Sequence, residues 1–227
     1  MDPRKTRSRP GVDAVDRAIA ILVCFEDGPA PLSLADLAQR SSLNKSTILR
    51  LCASLLRGGL LSRDTEGRYR IGPTLGRLGA QYRADRRLPL DLRPTLRALC
   101  HRTGETASFY VRDGGCRVCL LREEPARAIR HALREGAALP LTYGASALVL
   151  RAFGPDPDPA LEAVRIAGHA VTRGARDPDV AAVAVPVRQS DDLLGVLALS
   201  GPIQRFDPPR TDAMLRDLRR TAAELAP

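Results

Sequence analysis

Between residues 33 and 71 the apolar spacing of the chain shifts from helical to alternating, and no other feature restricts the fold as strongly. After Ser33, a good N-cap, Leu34, Leu37 and Ala38 recur at helical spacing until Ser41-Ser42. The stretch SSLNKSTILRLCASLLR occupies 41–57. Its ladder of Leu43, Ile48, Leu51, Cys52, Leu55 and Leu56 predicts a helix from Asn44 to about Arg57, closed by Gly58-Gly59. LLSRDTEGRYRIG then reads as two short extended pieces around Asp64-Thr65-Glu66-Gly67, hence a β-hairpin. An earlier helix over roughly 13–26, with Val15, Ala18, Ile19, Leu22 and Val23 at helical spacing, ends at Asp27-Gly28-Pro29. Three helices, the last two joined by a tight turn, followed by a hairpin, describe a winged helix-turn-helix.

That order gives the polar knot Asn44-Lys45-Ser46-Thr47 a meaning. A groove-reading helix aims its first-turn residues at base edges and phosphates. Lys45, Ser46, Thr47 and Arg50 fit this geometry: hydroxyls bond phosphate or base edges, and an arginine forks onto guanine. Asn44 reads as the N-cap. Ser33, opening the preceding helix, joins the DNA-facing set, and Arg63, Arg68 and Arg70 flank the hairpin as a basic wing. Ile48, Leu51, Cys52 and Leu55 are expected to hold the helix against Ile19, Leu22 and Leu37. The charge agrees. The formal net charge is +9 and the sequence pI about 10.0. The first 87 residues hold 16 of the 35 Lys+Arg but 9 of the 26 Asp+Glu, so most of the excess lies there. The arm Arg4-Lys5-Thr6-Arg7-Ser8-Arg9 reads as a solubilising tail in preference to a minor-groove arm.

The expected organisation is a basic arm at 1–10, a winged helix-turn-helix at 11–73, a linker helix at 74–90 with Leu75, Leu78 and Tyr82 on one side, and a second domain at 91–227. The second domain alternates. Residues 91–103 are helical; TASFYV and CRVCLLRE are strands joined by Asp113-Gly114-Gly115. A strand is expected near Ala128–Leu133. LPLTYGASALVLRAF reads as a loop opening a helix, residues 159–168 as a helix, VAAVAVPV and LLGVLALSG as strands, and 207–225 as a C-terminal helix. The expected class is α+β with a half-covered sheet.

Other chemistry finds little support. Cys116-x-x-Cys119 has no second ligand pair, and in a strand that spacing sends the two side chains to opposite faces. No phosphate-cradling glycine motif or nucleophile elbow is present. No enzyme activity, cofactor or metal is therefore expected. Cys24, Cys52 and Cys100 read as small core residues, which suits a reducing cytoplasm. The N-terminus lacks the apolar segment of a secretory signal, and no run nears the ~20 apolar residues of a membrane helix.

The sequence resembles the IclR-type bacterial transcription regulators. VDRAIAILVCF and LSLADLAQRSSLNKSTILRLCASLLRGGLLSRDTEGRYRIGPTLGRLGA resemble their DNA-binding region, with Asn44 where that family usually has proline. RTGETASFYVRDGGCRVCL, LREGAALPLTYGASALVL, GHAVTRGARDPDVAAVAVPV and GVLALSGP resemble their effector-binding domain. The resemblance implies a winged helix-turn-helix, a linker helix and a GAF/PAS-like C-terminal domain that binds a small-molecule effector. It also implies a homodimer or homotetramer acting on a double-stranded DNA operator as repressor or activator, with no membrane partner. The effector-binding residues it implies are Ser108, Tyr110, Leu121, Tyr143, Gly144, Ala145, Thr172, Ala182, Ala198 and Ser200. Positions that are polar in many relatives are here Thr172, Ala182, Ala198 and Ser200, of which Thr172 and Ser200 alone stay polar. A small carboxylate would then be poorly paired, so the expected effector is more apolar or aromatic than a small keto-acid. The alternatives are a constitutive DNA-binding regulator with a vestigial pocket and, less favoured, an enzyme with a DNA-docking module.

Overall fold

The computed structural model describes residues 11–26, 30–85, 88–89, 91–127 and 133–226. The basic arm at 1–10 and the strand expected near Ala128–Leu133, apart from Leu133 itself, lie outside the described residues. The chain divides into two compact units, Met1–Arg86 and Arg87–Pro227.

In the first unit, α1 (Asp13–Val23), α2 (Leu34–Ser41) and α3 (Lys45–Arg57) are followed by a hairpin of β1 (Leu61–Arg63) and β2 (Tyr69–Ile71), then α4 (Pro73–Asp85). Local chemistry explains the boundaries. Ser33 caps α2 in a reciprocal box. Its hydroxyl accepts from Asp36 N–H at 3.1 Å, and its own N–H donates to Asp36 Oδ2 at 2.8 Å. Helix α3 stops because Gly59 adopts φ +66°. Gly59 N–H then donates to the Leu56 carbonyl at 3.0 Å and Leu60 N–H to that of Leu55 at 2.9 Å, which closes the open end of the helix. Asp64 ties the hairpin turn, accepting from Glu66 N–H at 3.0 Å and Arg68 N–H at 2.8 Å. Leu32 and Tyr69 exchange backbone bonds of 2.9 and 2.7 Å, which fix the hairpin beside the entry to α2.

The core of this unit holds Ile21, Cys24, Leu37, Ile48, Cys52, Leu55 and Tyr69. Ile19 does not hold α3: it is 52% exposed, beside Val15 at 54% and Val12 at 68%. Apolar residues occupy both sides of α1, so periodicity alone selects no inner face. The side containing Ile21, with Ala18 and Leu22 partly buried, turns inward. In α4 nothing is buried, and Leu78 and Tyr82 face outward.

The second unit is built on an antiparallel six-stranded sheet in the order β5-β4-β3-β8-β7-β6. Its strands are β3 (Thr106–Asp113), β4 (Cys116–Glu123), β5 (Ala138–Pro140), β6 (Ala170–Arg173), β7 (Val180–Gln189) and β8 (Asp192–Pro202). Helices α5 (Leu92–Thr103) and α8 (Pro208–Leu225) cover one face. Leu92, Leu96, Leu99, Met214 and Leu218 pack there on Phe109, Val183, Val185, Leu197 and Leu199. The expectation of a half-covered sheet is corrected, because α6 (Ala145–Phe153) lies on the opposite face. Its Val149 and Leu150 meet Tyr110, Ala184, Val196 and Ala198. Strand period sorts these neighbours onto the two faces. The short α7 (Glu162–Ala167) follows α6. Strands β5 and β6 are edge strands of three and four residues, too short for alternation to register in the sequence.

Among the described residues one buried side-chain nitrogen has no hydrogen-bond partner, and it is described below. Glu105 is fully buried and receives two bonds from Arg205, at 2.6 and 2.8 Å, with Arg210 at 3.6 Å. Together they anchor the start of β3 to the chain entering α8.

Candidate nucleic-acid interface and effector pocket

The first candidate surface is the outward side of α3. Lys45, Ser46, Leu49 and Arg50 are exposed there, and Thr47 is half-buried. Among the described residues, none of Lys45, Ser46, Thr47 and Arg50 has a side-chain partner. Asn44 occupies the N-cap position, yet its side chain makes no capping bond. The reading of Asn44 as a cap is therefore right in position and corrected in chemistry: its amide is exposed and unengaged. Leu49, absent from the expected set, presents apolar surface between the polar contacts. It belongs neither to the ladder nor to the polar knot, and it is 46% exposed.

The wing arginines differ. Arg63 donates to the Tyr69 hydroxyl at 2.7 Å and lies 4.8 Å over its ring. Arg68 pairs with Asp64 at 3.0 Å and Glu66 at 3.1 Å. Arg70 has a single looser pairing with Asp64, at 4.0 Å, and is half exposed. Ser33 sits at the start of α2, its hydroxyl also donating to Asp36 at 2.7 Å within the capping box.

The second candidate surface is a pocket of about 60 Å³ between the α6 side of the sheet, the start of α6 and the β6–β7 connection. Of the ten residues expected there, Tyr110, Gly144, Ala145, Thr172, Ala182, Ala198 and Ser200 line it. Thr172 Oγ1 accepts from Ala145 N–H at 3.1 Å, so it caps α6 from a neighbouring strand. Burial pushes the Tyr110 phenol up to about 12, keeping it neutral.

Three expected residues lie elsewhere. Ser108 is off the lining and accepts from Arg122 Nη1 at 3.2 Å. Tyr143 is off the lining, and it meets the pocket through Arg117, which bonds its carbonyl and stands near its ring. Leu121 is on the wrong face. A bulge in the β3–β4 pairing sets Tyr110 opposite Cys119 but Phe109 opposite Leu121. The extra residue reverses the alternation and turns Leu121 to the other face, where it packs, partly buried, against the core under α5 and α8.

The structure also places a residue that the sequence reading missed. Arg117, on β4, is 5% exposed and lines the pocket. Its Nη1 donates to the carbonyls of Pro140 and Tyr143, the latter at 2.8 Å. Its Nε is buried without a partner. Its guanidinium carbon stands 6.0 Å from the ring centres of both Tyr110 and Tyr143. Burial holds the Arg117 pKa below the usual arginine range, and nearby Arg176 acts in the same direction. The pocket thus holds a buried cation among largely small and apolar neighbours, a group left out when a small carboxylate was expected to be poorly paired there. A larger groove along the outside of α5 is lined by residues of that helix alone, and its Arg93, Arg97 and Arg102 are ion-paired with Glu123, Glu135 and Asp217. Among the described residues no group of His, Cys, Asp and Glu is suited to a metal, and no helix is long and apolar enough to cross a membrane.

Comparison with known proteins places these features in context. Residues 14–65 match the model of the IclR helix-turn-helix domain. The chain is similar to the HTH-type transcriptional regulator BhcR of Paracoccus denitrificans, at 28% identity over 95% of this chain and 87% of the relative. It is also similar to the HTH-type transcriptional repressor AllR of Escherichia coli, at 29% identity over 59% of this chain and 50% of the relative. Among solved structures, an IclR transcriptional regulator from a Silicibacter species superposes with TM-score 0.67 at 26% identity, covering 93% of this chain and 94% of that one. An IclR homologue from Microbacterium hydrocarbonoxydans, solved with 4-hydroxybenzoate, shares the fold with TM-score 0.72 at 21% identity, covering 94% and 97%.

Proposed function

We propose that this chain, an IclR-type DNA-binding transcription regulator, reads its operator through the outward side of α3 and adjusts its DNA affinity through a small molecule held in the C-terminal pocket. The observation that carries the DNA half is the unpartnered polar set on α3. Lys45, Ser46, Thr47 and Arg50 have no side-chain partner among the described residues, at the helix a winged helix-turn-helix inserts into the major groove. Asn44, free of capping, joins this set as a donor–acceptor for a base edge, and Leu49 suits a thymine methyl. Arg70 is the wing residue best placed for phosphate, since Arg63 and Arg68 are held within the hairpin by closer partners than Arg70 is by Asp64 at 4.0 Å. Selection of binding sites from random duplex DNA, followed by anisotropy titration of the winning sequence, tests this reading. Selection that returns no preferred sequence sinks it.

Operator recognition by a two-fold protein needs two recognition helices ~34 Å apart. The exposed stripe of Val12, at the N-cap of α1, with Val15 and Ile19 on the helix supports self-association, because a monomer that left this apolar row in water would gain by covering it. Ile19→Glu is expected to weaken the dimer and with it operator binding. Sedimentation of that variant at the parent's association constant would remove the assignment.

The effector half rests on the lined cavity beside α6. A ligand acts here by binding one arrangement of the chain better than another. The volume of about 60 Å³ is well below the ~300 Å³ at which drug-sized pockets begin, so the effector is small or the pocket opens to admit it. The same small volume favours one rival, a constitutive regulator with a closed pocket. A metabolite screen by thermal shift, including 4-hydroxybenzoate because a fold neighbour was solved with it, separates the two. Unaltered melting with every compound, alongside intact operator binding, selects the rival.

A further inference from the structure

We propose that Arg117 is the charge-selecting residue of this pocket and that its ligand is a small carboxylate on an apolar or aryl body, held by the lateral Nε–Nη2 fork of the guanidinium. This rests on the reading of the cavity as an effector site. Arg117 is 5% exposed, and the carbonyls of Pro140 and Tyr143 engage Nη1 only. Nε has no partner, and Nη2 lies so close to Gly144 that a Cβ there would stand 3.2 Å away. The unused edge therefore borders the first residues of α6. Backbone dipoles at that helix start add to its preference for an anion.

Buried cations are ordinarily matched by carboxylates. Asp177 is the one carboxylate on the pocket lining among the described residues, and its Oδ1 accepts from Asp179 N–H at 3.1 Å, back within its own turn. No carboxylate is among the groups that act on the charge of Arg117; Tyr110, Tyr143 and Cys116 favour that charge, and a second cation, Arg176, opposes it. Nε and Nη2 lie parallel in one plane, the geometry that a planar carboxylate matches with two bonds. Leu139, Val180, Ala182 and Ala198 supply the apolar walls that select the body of the ligand. Admission needs the cavity to widen. The segment Ala175–Asp177 on one side is exposed connection between β6 and β7, so widening displaces surface chain in preference to core.

The test uses the full chain with benzoate, benzamide and inorganic phosphate as probes, read by thermal shift and calorimetry. Benzoate is expected to bind and raise the melting temperature. Benzamide, of nearly the same shape without the charge, and phosphate, charged but not planar, are each expected to bind at least about tenfold more weakly, about 1.4 kcal/mol. Arg117→Met is expected to abolish the benzoate response while keeping the parent's circular dichroism. Arg117→Lys, which keeps charge and loses the fork, is expected to retain part of it. A benzoate affinity unchanged in Arg117→Met overturns the proposal, as do equal benzoate and benzamide affinities, equal phosphate affinity, or no response to benzoate. The parent's benzoate–benzamide pair decides the matter even if Arg117→Met fails to fold. Neutral compounds that bind and alter operator affinity would remove the carboxylate and leave the effector reading standing; no binding by compounds of either charge would remove both.

Discussion

Strand β4 carries two buried arginines five residues apart, and they have opposite surroundings. Arg122 donates to Ser108 at 3.2 Å and pairs with Glu124 at 3.2 Å. Arg117 has two neutral carbonyls and an orphaned Nε. The first is a completed structural pair. The second is a buried cation with no carboxylate partner among the described residues. The same contrast recurs in the DNA-binding unit, where Arg68 is paired within the hairpin and Arg50 on α3 is not. Within this protein, an arginine's partners separate the cations that hold the fold from those available to something outside it.

The largest expected effect comes from breaking the completed pair. Arg122→Ala leaves the Ser108 hydroxyl and Glu124 without their cation and is expected to lower unfolding free energy by about 3 kcal/mol in urea titration. Arg117→Met, on the same strand, is expected to leave stability within about 1 kcal/mol of the parent or to raise it, because it removes an uncompensated charge. A loss comparable to that of Arg122→Ala would make Arg117 a structural residue and end the contrast. Next in size, Arg50→Ala is expected to cost about 1–3 kcal/mol of specific DNA binding and to relax preference at one base position, with no change in melting temperature. Binding-site selection repeated on the variant checks it. The smallest effect distinguishes the wing residues. Arg70→Ala is expected to reduce the slope of log affinity against log salt by about 1, uniformly across sequences, and Arg68→Ala by less. Equal slopes for the two would show that pairing with Asp64 does not withhold Arg68 from phosphate.

Much of the DNA-binding unit was legible in the sequence because its determinants are local. The Ser33 cap, the ladder of α3, the Gly58-Gly59 stop and the Asp64–Gly67 turn each act within a few residues, so their order predicts helix, turn, helix and hairpin. The reading went wrong where a choice depended on the rest of the chain. Val15 and Ile19 obey helical spacing as well as Ile21 does, and packing alone turned Ile21 inward. Asn44 has the right residue type for a cap, and its side chain does not form one.

The pocket shows the same division. Seven of its expected residues lie on the lining, since strand alternation carries Ala198 with Ser200 and sets Tyr110 on the same face. Leu121 left it because one bulged residue in β4 reversed the alternation, an event set by pairing with β3 that no pattern within β4 announces. In the sequence Arg117 stands between Cys116 and Cys119 with no pattern to set it apart. Its significance depends on Pro140, Tyr143, Gly144 and Arg176, all distant in sequence and brought around it by the β4–β5 pairing, the start of α6 and the β6–β7 connection. The sequence by itself determined the helices, the longer strands and where the basic, outward-facing helix lies, because hydrogen bonding and side-chain period act over a few residues. Which cations end up buried, and which of those lack a counter-charge, was decided only by the tertiary structure, because desolvation depends on every segment that closes over the group.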